Sequence, residues 1–297
     1  MPVLYNSNCL FEDKNGIKYS CDNLRIQGLL SDDGWCQDDF ERYFNNPTNF
    51  RISDTYICTG VGKYKYLWSI TCKNTTITVL YCFNGYTNKA DDKRRVVLEF
   101  NPNKLEYDDF TEIHNVIRCL VDLTVVRCDL AIDIPVPRQF ANLIKDQRNY
   151  EYHDYNVNGI TEYLGSRNNT NYVKLYDKQK ESGLEEPLTR LEYTCKPSLI
   201  DFQKVKAKVI VERDQLEIET MEYDGFSKSQ LATLKILQGL DVHTRVKALK
   251  QFSYRNRKKY SPYVLADTYE LKIDTKCVQA VFDWINGALY NRSFTMT

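Results

Sequence analysis

The chain has 297 residues, 42% of them hydrophobic, and its 40 basic residues are balanced by 40 acidic ones. This length allows one large domain or two ordinary domains with an ample core. A net charge of zero argues against a protein that coats nucleic acid by charge alone, but it is compatible with a DNA enzyme that has a local basic surface.

In the first half of the chain the patterns predict mostly strands. Turn signals occur at 14–16, 32–34 and 84–85. The predicted elements are a short helix at 38–44, a β-meander over 55–83, a strand over 94–101, a helix over 108–123 and a strand over 125–137.

In the second half the patterns turn from strands to helices. The predicted elements are a helix over 139–149, a turn at 156–159, two strands within 162–196, and helices over 198–222, 231–240 and 278–289. This order predicts an α+β fold with a mainly antiparallel sheet and helices on one face, followed by a helical C-terminal region. We place a soft domain boundary near residue 200, which divides the chain into 1–200 and 201–297.

Cysteine and histidine usage disfavours several classes of protein. Ten cysteines without a Cys-x-x-Cys pair predict buried, reduced thiols. Three scattered histidines argue against a zinc hydrolase or a Ser-His-Asp relay, and the glycine-rich loops of P-loop and dinucleotide-binding proteins are missing. No signal pattern and no apolar run of membrane-spanning length occurs, so we expect a cytoplasmic protein without a membrane partner.

Three predicted strands carry acids on the face opposite their apolar residues. These acids are Glu99, Asp129 with Asp133, and Glu192. If the strands are neighbours, the carboxylates converge and need a cation or arginines to offset their repulsion. A hard divalent ion, Mg²⁺ or Mn²⁺, prefers such oxygen ligands. A solvated sheet face with Arg–Asp or Arg–Glu pairs explains the same pattern equally well.

Tyr176 lies on the polar face of its predicted strand together with Lys174. A tyrosine hydroxyl near a metal can act as a covalent nucleophile toward a phosphodiester. Lys174 and Lys178 are suited to bind the phosphate or to lower the pKa of the hydroxyl. Taken alone, however, a tyrosine in a strand is more often structural.

Four segments of the chain occur together, and in this order, in one enzyme family: VVLEFNPNKL, VVRCDLAID, YLGSRNNTNYVKLYDKQKE and TRLEYTCK. Over about 94–196 the chain therefore resembles the trans-acting Rep proteins, or replication initiation factors, of small plasmids and phages. The resemblance implies a nicking-closing enzyme that cuts one strand of a double-stranded origin at an extruded hairpin. It implies a tyrosine bound to the 5′-phosphate and a free 3′-OH primer, formed without ATP.

The resemblance also implies roles for individual residues. It assigns the nucleophile to Tyr176, with Lys174, Lys178 and Arg190 as catalytic neighbours. It assigns Mg²⁺ or Mn²⁺ to Glu99, Asp129 and Glu192, with Asp133 as a fourth ligand. Single-stranded DNA, a homodimer and a host helicase are the partners that it implies.

Basic and aromatic residues alternate near the C-terminal end of the chain. Such a stretch can track phosphates while its aromatic rings stack on unpaired bases, and the resemblance assigns origin choice to this region. The predicted DNA-binding residues are Arg167, Arg245, Lys247, Lys250, Arg255, Arg257, Lys258 and Lys259. The alternative is a helix with a solvated basic face.

Two other functions compete with a replication initiator. A conjugative relaxase of the same superfamily has the same chemistry and acts at a transfer origin. A non-catalytic origin-binding or copy-control protein keeps the fold without the activity, but the retention of Tyr176 and the acids argues against it.

Overall fold

The computed structural model describes residues 10–31, 50–59, 62–72, 74–81, 95–157, 159–167, 169–213 and 225–290. The helix predicted at 38–44 and the turns predicted at 32–34 and 84–85 lie outside these ranges. The turn predicted at 14–16 is confirmed, because Gly16 has a φ of +75°, which glycine adopts without strain.

Antiparallel strands make up most of the described chain. In chain order they are β1 (Phe11–Glu12), β2 (Lys18–Leu30), β3 (Phe50–Thr59), β4 (Gly62–Thr71), β5 (Thr76–Tyr81), β6 (Arg95–Phe100), β7 (Leu120–Ile134), β8 (Ala141–Leu143), β9 (Tyr150–Tyr155), β10 (Gly159–Leu164), β11 (Val173–Asp177), β12 (Thr189–Cys195), β13 (Val209–Glu212) and β14 (Thr268–Glu270). The predicted β-meander is confirmed as β3 to β5.

Eleven of these strands form one large sheet in the order β3-β4-β5-β6-β2-β7-β12-β11-β10-β9, with β1 beside β2. The two long central strands, β2 and β7, hold its halves together. Along most of β2 every second side chain is buried, but between Cys21 and Leu24 this alternation is interrupted by two consecutive residues that are not buried. The cross-strand register shifts between Cys21 and Asn23, so Asp22 is the extra residue of a β-bulge.

The described residues also form seven α-helices. They are α1 (Tyr107–Ile117), α2 (Lys178–Ser182), α3 (Leu199–Val205), α4 (Lys228–Gln238), α5 (Val242–Gln251), α6 (Tyr254–Val264) and α7 (Thr275–Tyr290). Residues of α1, α3 and α7 share one core with β2, β7 and β12. The predicted α+β class with helices on one face is therefore confirmed.

Three predicted helices are wrong in part or in full. The helix predicted over 108–123 ends at Ile117, and its last residues belong to β7. The segment 139–149 forms the short strand β8, which pairs with β13 in a small sheet of order β14-β13-β8. Arg138 supports this conformation by donating to the carbonyl oxygens of Ile160 and Ala141. The segment 198–222 forms only α3, capped by the Ser198 side chain. It continues as β13, and its remainder from 214 is outside the described residues.

The C-terminal region contacts the large sheet as well as itself. Val278, Phe282 and Ile285 of α7 lie in the same core as the large sheet, and the Asp274 amide donates to the Tyr19 hydroxyl at 2.9 Å. Helices α4 to α6 enclose a second, smaller core. The boundary near residue 200 stays a prediction. No helix among the described residues is long and apolar enough to cross a membrane.

None of the six cysteines whose side chains are described forms a disulfide, which agrees with the prediction of reduced thiols. Four of them, including Cys128 and Cys195, are fully buried in the large core. Their inaccessible positions suit small apolar side chains.

Candidate active site

The face of the large sheet opposite the helices carries two rows of polar side chains. The first row consists of the cross-strand partners Asp133, Arg190, Tyr176, Thr161 and His153. The second row consists of Glu192, Lys174, Tyr163 and Glu151. The two rows lie on five strands, and three of these strands, β7, β12 and β11, bring most of the residues expected to be catalytic onto one surface.

The hydroxyl of Tyr176 donates a hydrogen bond of 2.6 Å to Oε1 of Glu192. The two residues are diagonal neighbours on β11 and β12, a separation that long side chains can span. The Nζ atom of Lys174 lies 3.5 Å from the centre of the Tyr176 ring, and that of Lys178 lies 5.9 Å from it. Tyr176 is 4% exposed, so its ring is held firmly while the hydroxyl faces a cavity.

This cavity has a volume of about 450 Å³ and is open to solvent on one side. Four basic side chains, three carboxylates and two asparagines line it. They are Lys104, Lys174, Lys178, Arg190, Asp22, Glu181, Glu192, Asn101 and Asn103. The volume and the three lysines suit an anionic group of a larger ligand.

Arg190 fixes the wall of the cavity next to Tyr176. Its guanidinium binds both oxygens of Asp133 at 2.6 and 2.8 Å and reaches Asp22 Oδ1 at 2.8 Å. Arg190 is 1% exposed, so these charge-assisted hydrogen bonds are shielded from solvent. Asn101 donates to the same Asp22 oxygen at 3.1 Å. Arg190 is therefore a positioning residue that orients Asp22.

The acidities of these groups differ from those expected in water. Burial and the neighbouring Glu192 raise the pKa of Tyr176, so the net shift is opposite to the lowering that was one of the two roles considered for Lys174 and Lys178. Burial, together with the charge of Asp22, raises the pKa of Glu192 to about 7. Burial opposes ionisation of Asp22 as well, but Arg190 and Lys178 outweigh it and lower the pKa of that carboxyl.

Three of the four acids predicted to converge on a metal are each paired with an arginine. Glu99 binds Arg25 at 2.6 Å, and Asp129 binds Arg127 at 3.0 Å. Asp133 is held by Arg190, and only Glu192 faces the cavity. Strands β2 and β7 separate β6 from β12 in the sheet. The structure thus does not bring the four acids together, and their polar-face pattern mostly reflects arginine pairing.

A different set of oxygen donors meets at the cavity. Asp22 and Glu192 are close enough for the charge of one to raise the pKa of the other. Asn103 carries a buried Oδ1 that accepts no hydrogen bond from any described residue. In the part of the chain that the structure describes, no three His, Cys, Asp or Glu side chains are grouped closely enough to hold a metal ion. A carboxylate with amide oxygens nevertheless fits a hard divalent ion that keeps waters and substrate oxygens as further ligands.

The residues predicted to bind DNA fall into two groups. Arg245 is buried against Asp267, at 2.7 Å, and Lys259 donates to Gly225 and Gln230, so both stabilise the helices instead. The predictions for these two residues are therefore corrected. The exposed cations are Arg167, Lys247, Lys250, Arg255, Arg257 and Lys258.

Asp22 is the functional candidate that the strand patterns missed. It lies in β2, where regular alternation places only every second residue on the polar face. The signal that could have revealed it is the three-residue step from Cys21 to Leu24 in an apolar alternation of two. Such a phase change indicates a bulge, and bulges often re-aim a side chain next to a site.

Comparison with known proteins gives partial matches. No family model matches the chain. Two curated proteins from Staphylococcus aureus, each named Replication initiation protein, are 30% and 29% identical to it over 126 residues. Each match covers 38% of this chain and 40% of the relative, so the chain spans less than half of the relatives' length. These relatives support the resemblance to replication initiators.

One solved structure also aligns with the chain. It is described as a rolling circle replication initiator protein from Geobacillus stearothermophilus, and the alignment covers 61% of this chain and 75% of that one. The sequence identity is 14% and the TM-score is 0.36.

Proposed function

We propose that this protein initiates rolling-circle replication by cutting one DNA strand at an origin, with Tyr176 as the nucleophile. The observation that carries the proposal is the 2.6 Å hydrogen bond from the Tyr176 hydroxyl to Glu192 at the wall of a lysine-lined cavity. The similarity to replication initiation proteins supports the biological role.

In the proposed reaction the Tyr176 oxygen attacks the phosphorus of a phosphodiester. A bond forms between that oxygen and phosphorus, and the bond from phosphorus to the 3′-oxygen breaks. Glu192 accepts the hydroxyl proton during the attack, and the departing 3′-oxygen takes up a proton from solvent. The products are a 5′-phosphotyrosine link and a free 3′-OH. Because one phosphoester replaces another, the reverse reaction rejoins the strand without ATP.

Glu192 is well suited to this role as proton acceptor. Because the pKa of Tyr176 is raised, its hydroxyl is protonated at neutral pH and needs a base at the moment of attack. A carboxylate with a pKa of about 7 is a stronger base than an ordinary glutamate and is still largely ionised slightly above neutrality.

The three lysines bind the phosphate in this proposal. Lys174 and Lys178 flank the Tyr176 ring, and Lys104 lies across the same cavity. Preorganised cations stabilise the negative charge that grows on the phosphoryl oxygens during attack. Lys178 also contacts Glu181 at 2.6 Å, which limits its motion.

We propose that Mg²⁺ or Mn²⁺ assists the cleavage, with Asp22 as its carboxylate ligand rather than Glu99 and Asp129, while Glu192 is left free to accept the Tyr176 proton. The amide oxygen of Asn103 is a further donor on the same wall. When bound, such an ion would polarise a phosphoryl oxygen. Arg190 holds Asp22 in place through its hydrogen bond and keeps its carboxylate ionised.

The remaining expectations extend the same proposal. Origin binding is assigned to the exposed cations Lys247, Lys250, Arg255, Arg257 and Lys258, which can contact phosphates. The hairpin at the origin, a homodimer, a host helicase and a cytoplasmic location stay predictions.

The proposal is tested with supercoiled DNA that carries the sequence around the gene, incubated with the protein and Mg²⁺ or Mn²⁺. We expect open circles with protein attached to the 5′ end. Tyr176→Phe should abolish them. Tyr193→Phe is a matched control, because it removes another buried hydroxyl from the opposite face of the sheet, where it bonds to Ala207.

Normal cleavage by Tyr176→Phe would show that the nucleophile is misassigned. Cleavage that is unchanged in a chelator, or in Asp22→Asn, would remove the metal ion from the proposal. Cleavage of a transfer origin in preference to a replication origin would favour the relaxase. A wild-type protein that binds its origin but never cuts it would favour the non-catalytic binding protein.

A further inference from the structure

A band of aromatic rings continues from Tyr176 toward the edge strand β9 on the same face of the sheet. We call it the aromatic strip. It consists of the rings of His153, Tyr155, Tyr163 and Tyr172, together with the guanidinium of Arg167 that lies beside them. The cross-strand register places Tyr163 opposite Lys174, and it places His153 opposite Thr161, the partner of Tyr176. Strand β9 is two strand spacings from β11, roughly 10 Å, so the strip adjoins the cavity directly.

The rings of the strip are arranged as two stacked pairs. Tyr163 and Tyr172 stack with centres 5.6 Å apart, and His153 and Tyr155 stack at 5.5 Å. His153 meets the edge of Tyr163 at 5.7 Å, which joins the two pairs. Tyr163 is buried among its neighbours, whereas Tyr155 is 40% exposed. The outer pair therefore offers ring surface to a ligand.

Positive charge accompanies these rings at both ends. The exposed guanidinium of Arg167 lies 5.3 Å from the Tyr163 ring centre and donates to its hydroxyl at 3.3 Å. Lys174 joins the strip to the cavity. Glu151 is an acid in the same row, and its carboxylate lies 3.6 Å from Nε2 of His153.

We infer that the aromatic strip binds unpaired nucleotides next to the phosphodiester that Tyr176 attacks. Exposed aromatic faces stack on bases of any sequence, and adjacent cations bind the phosphates between them. The inference rests on the proposed function, because it takes the cavity as the place of the cut. It adds the path by which a single strand reaches that cavity, across β11 and β10 to β9.

The experiment measures binding of a fluorescent oligothymidine of about 12 nucleotides to the full chain in a chelator, where no cleavage is required. We expect Tyr155→Ala to weaken binding roughly 5- to 150-fold, since one base loses its stacking partner. Arg167→Ala should reduce the slope of log affinity against log salt by about 0.7, the value for one phosphate contact with a single strand.

Tyr152→Ala is the matched control. Tyr152 lies on the same strand, is 52% exposed and faces the other side of the sheet, opposite Glu162. Its substitution should leave binding unchanged. Equal losses for Tyr152→Ala and Tyr155→Ala, or no loss for Tyr155→Ala, would overturn the inference.

The outcomes separate this inference from the proposed function. If origin cleavage depends on Tyr176 while Tyr155→Ala binds normally, the function stands and the strip is not the path. If Tyr155→Ala loses binding while no DNA is cut, the strip is a single-strand site and the proposed chemistry fails.

Discussion

Two tyrosine–glutamate pairs on opposite faces of the large sheet have the same hydrogen bond and different surroundings. Tyr176 donates to Glu192 at 2.6 Å on the polar face, and Tyr150 donates to Glu162 at 2.6 Å on the face that meets the C-terminal region. One pair borders a cavity, whereas Glu162 is 2% exposed. Comparing the two pairs therefore shows how the surroundings change the properties of a glutamate that has the same hydrogen bond to a tyrosine.

The number of further hydrogen-bond donors distinguishes the two glutamates. The Glu162 carboxylate also accepts hydrogen bonds from Arg138 at 2.6 Å and from the Leu143 amide at 3.1 Å. Nε2 of His243 in α5 lies 3.1 Å from the same carboxylate. These partners lower its pKa although burial opposes ionisation. Glu192 has Asp22 nearby instead, and its pKa is raised to about 7. A fully satisfied carboxylate is a structural anchor, whereas an under-satisfied one beside a cavity can act as a base.

The largest expected effect is on cleavage by Glu192→Gln. Removal of a general base costs about 10²- to 10⁴-fold in rate. Single-turnover cleavage of supercoiled origin DNA measures the loss. Glu162→Gln, assayed at a temperature where it is folded, should cut at nearly the wild-type rate. Similar rates for the two variants would end the functional distinction between the pairs.

The next largest effect is on stability, and here the variant of Glu162 should be affected rather than the variant of Glu192. Glu162→Gln leaves Arg138 buried without its carboxylate, and breaking such a pair typically costs ~3–5 kcal/mol. Denaturant titration should therefore show a strongly reduced free energy of unfolding for Glu162→Gln. Glu192→Gln should remain close to wild type or above it. A stable Glu162→Gln would mean that Glu162 does not anchor α5 to the sheet.

Period-two reasoning predicted the faces of the sheet but not the contents of the site. It correctly placed Tyr176, Lys174 and Glu192 on the polar surface, because alternation is a local property of each strand. It could not show that β2 and β7 lie between β6 and β12, because strand order depends on long-range pairing. Glu99 therefore looked like a neighbour of Glu192 in sequence patterns and is bound to Arg25 in the fold.

The other misses have equally physical causes. Asp22 enters the site through a bulge, which reverses the alternation from which faces are read. The segment 139–149 forms β8 because β13, some 70 residues later, offers it a partner strand, and such tertiary pairing overrides local propensity. Glu162 looked like an ordinary strand acid, and only the fold shows the arginine and histidine that meet it on the buried face.

A smaller effect is expected from Tyr150→Phe. The substitution removes one hydrogen bond to the Glu162 carboxylate, and such bonds contribute about 1.5–3 kcal/mol. Because Arg138 and the Leu143 amide still hold Glu162, the fold should survive with a modestly lower melting temperature and normal cleavage. Tyr176→Phe should show the reverse, with stability nearly retained and cleavage lost. Loss of cleavage in Tyr150→Phe would contradict its structural role.

The pH dependence of the cleavage rate should be determined by Glu192 and not by Glu162. A base with a pKa of about 7 is mostly protonated one unit below that value and mostly ionised one unit above it. The single-turnover rate should therefore rise about tenfold between about pH 6 and pH 8. Glu192→Gln should abolish the rise, and Glu162→Gln should preserve it. A flat wild-type profile would exclude Glu192 as the proton acceptor.

The same two carboxylates should give stability profiles of opposite sign. Glu162 has a lowered pKa in the folded state, so its contribution is present above the unfolded pKa of about 4.3 and is lost as pH falls. Glu192 has a raised pKa, so its contribution is present below about 4.3 and is lost as pH rises through about 7. Relative to wild type, Glu192→Gln should gain stability between about pH 5 and pH 8. The free energy of unfolding of Glu162→Gln, which is below that of wild type at neutral pH, should approach the wild-type value as the pH falls. If stability instead changed with pH in the same direction for both variants, the opposite pKa shifts of Glu162 and Glu192 would be contradicted.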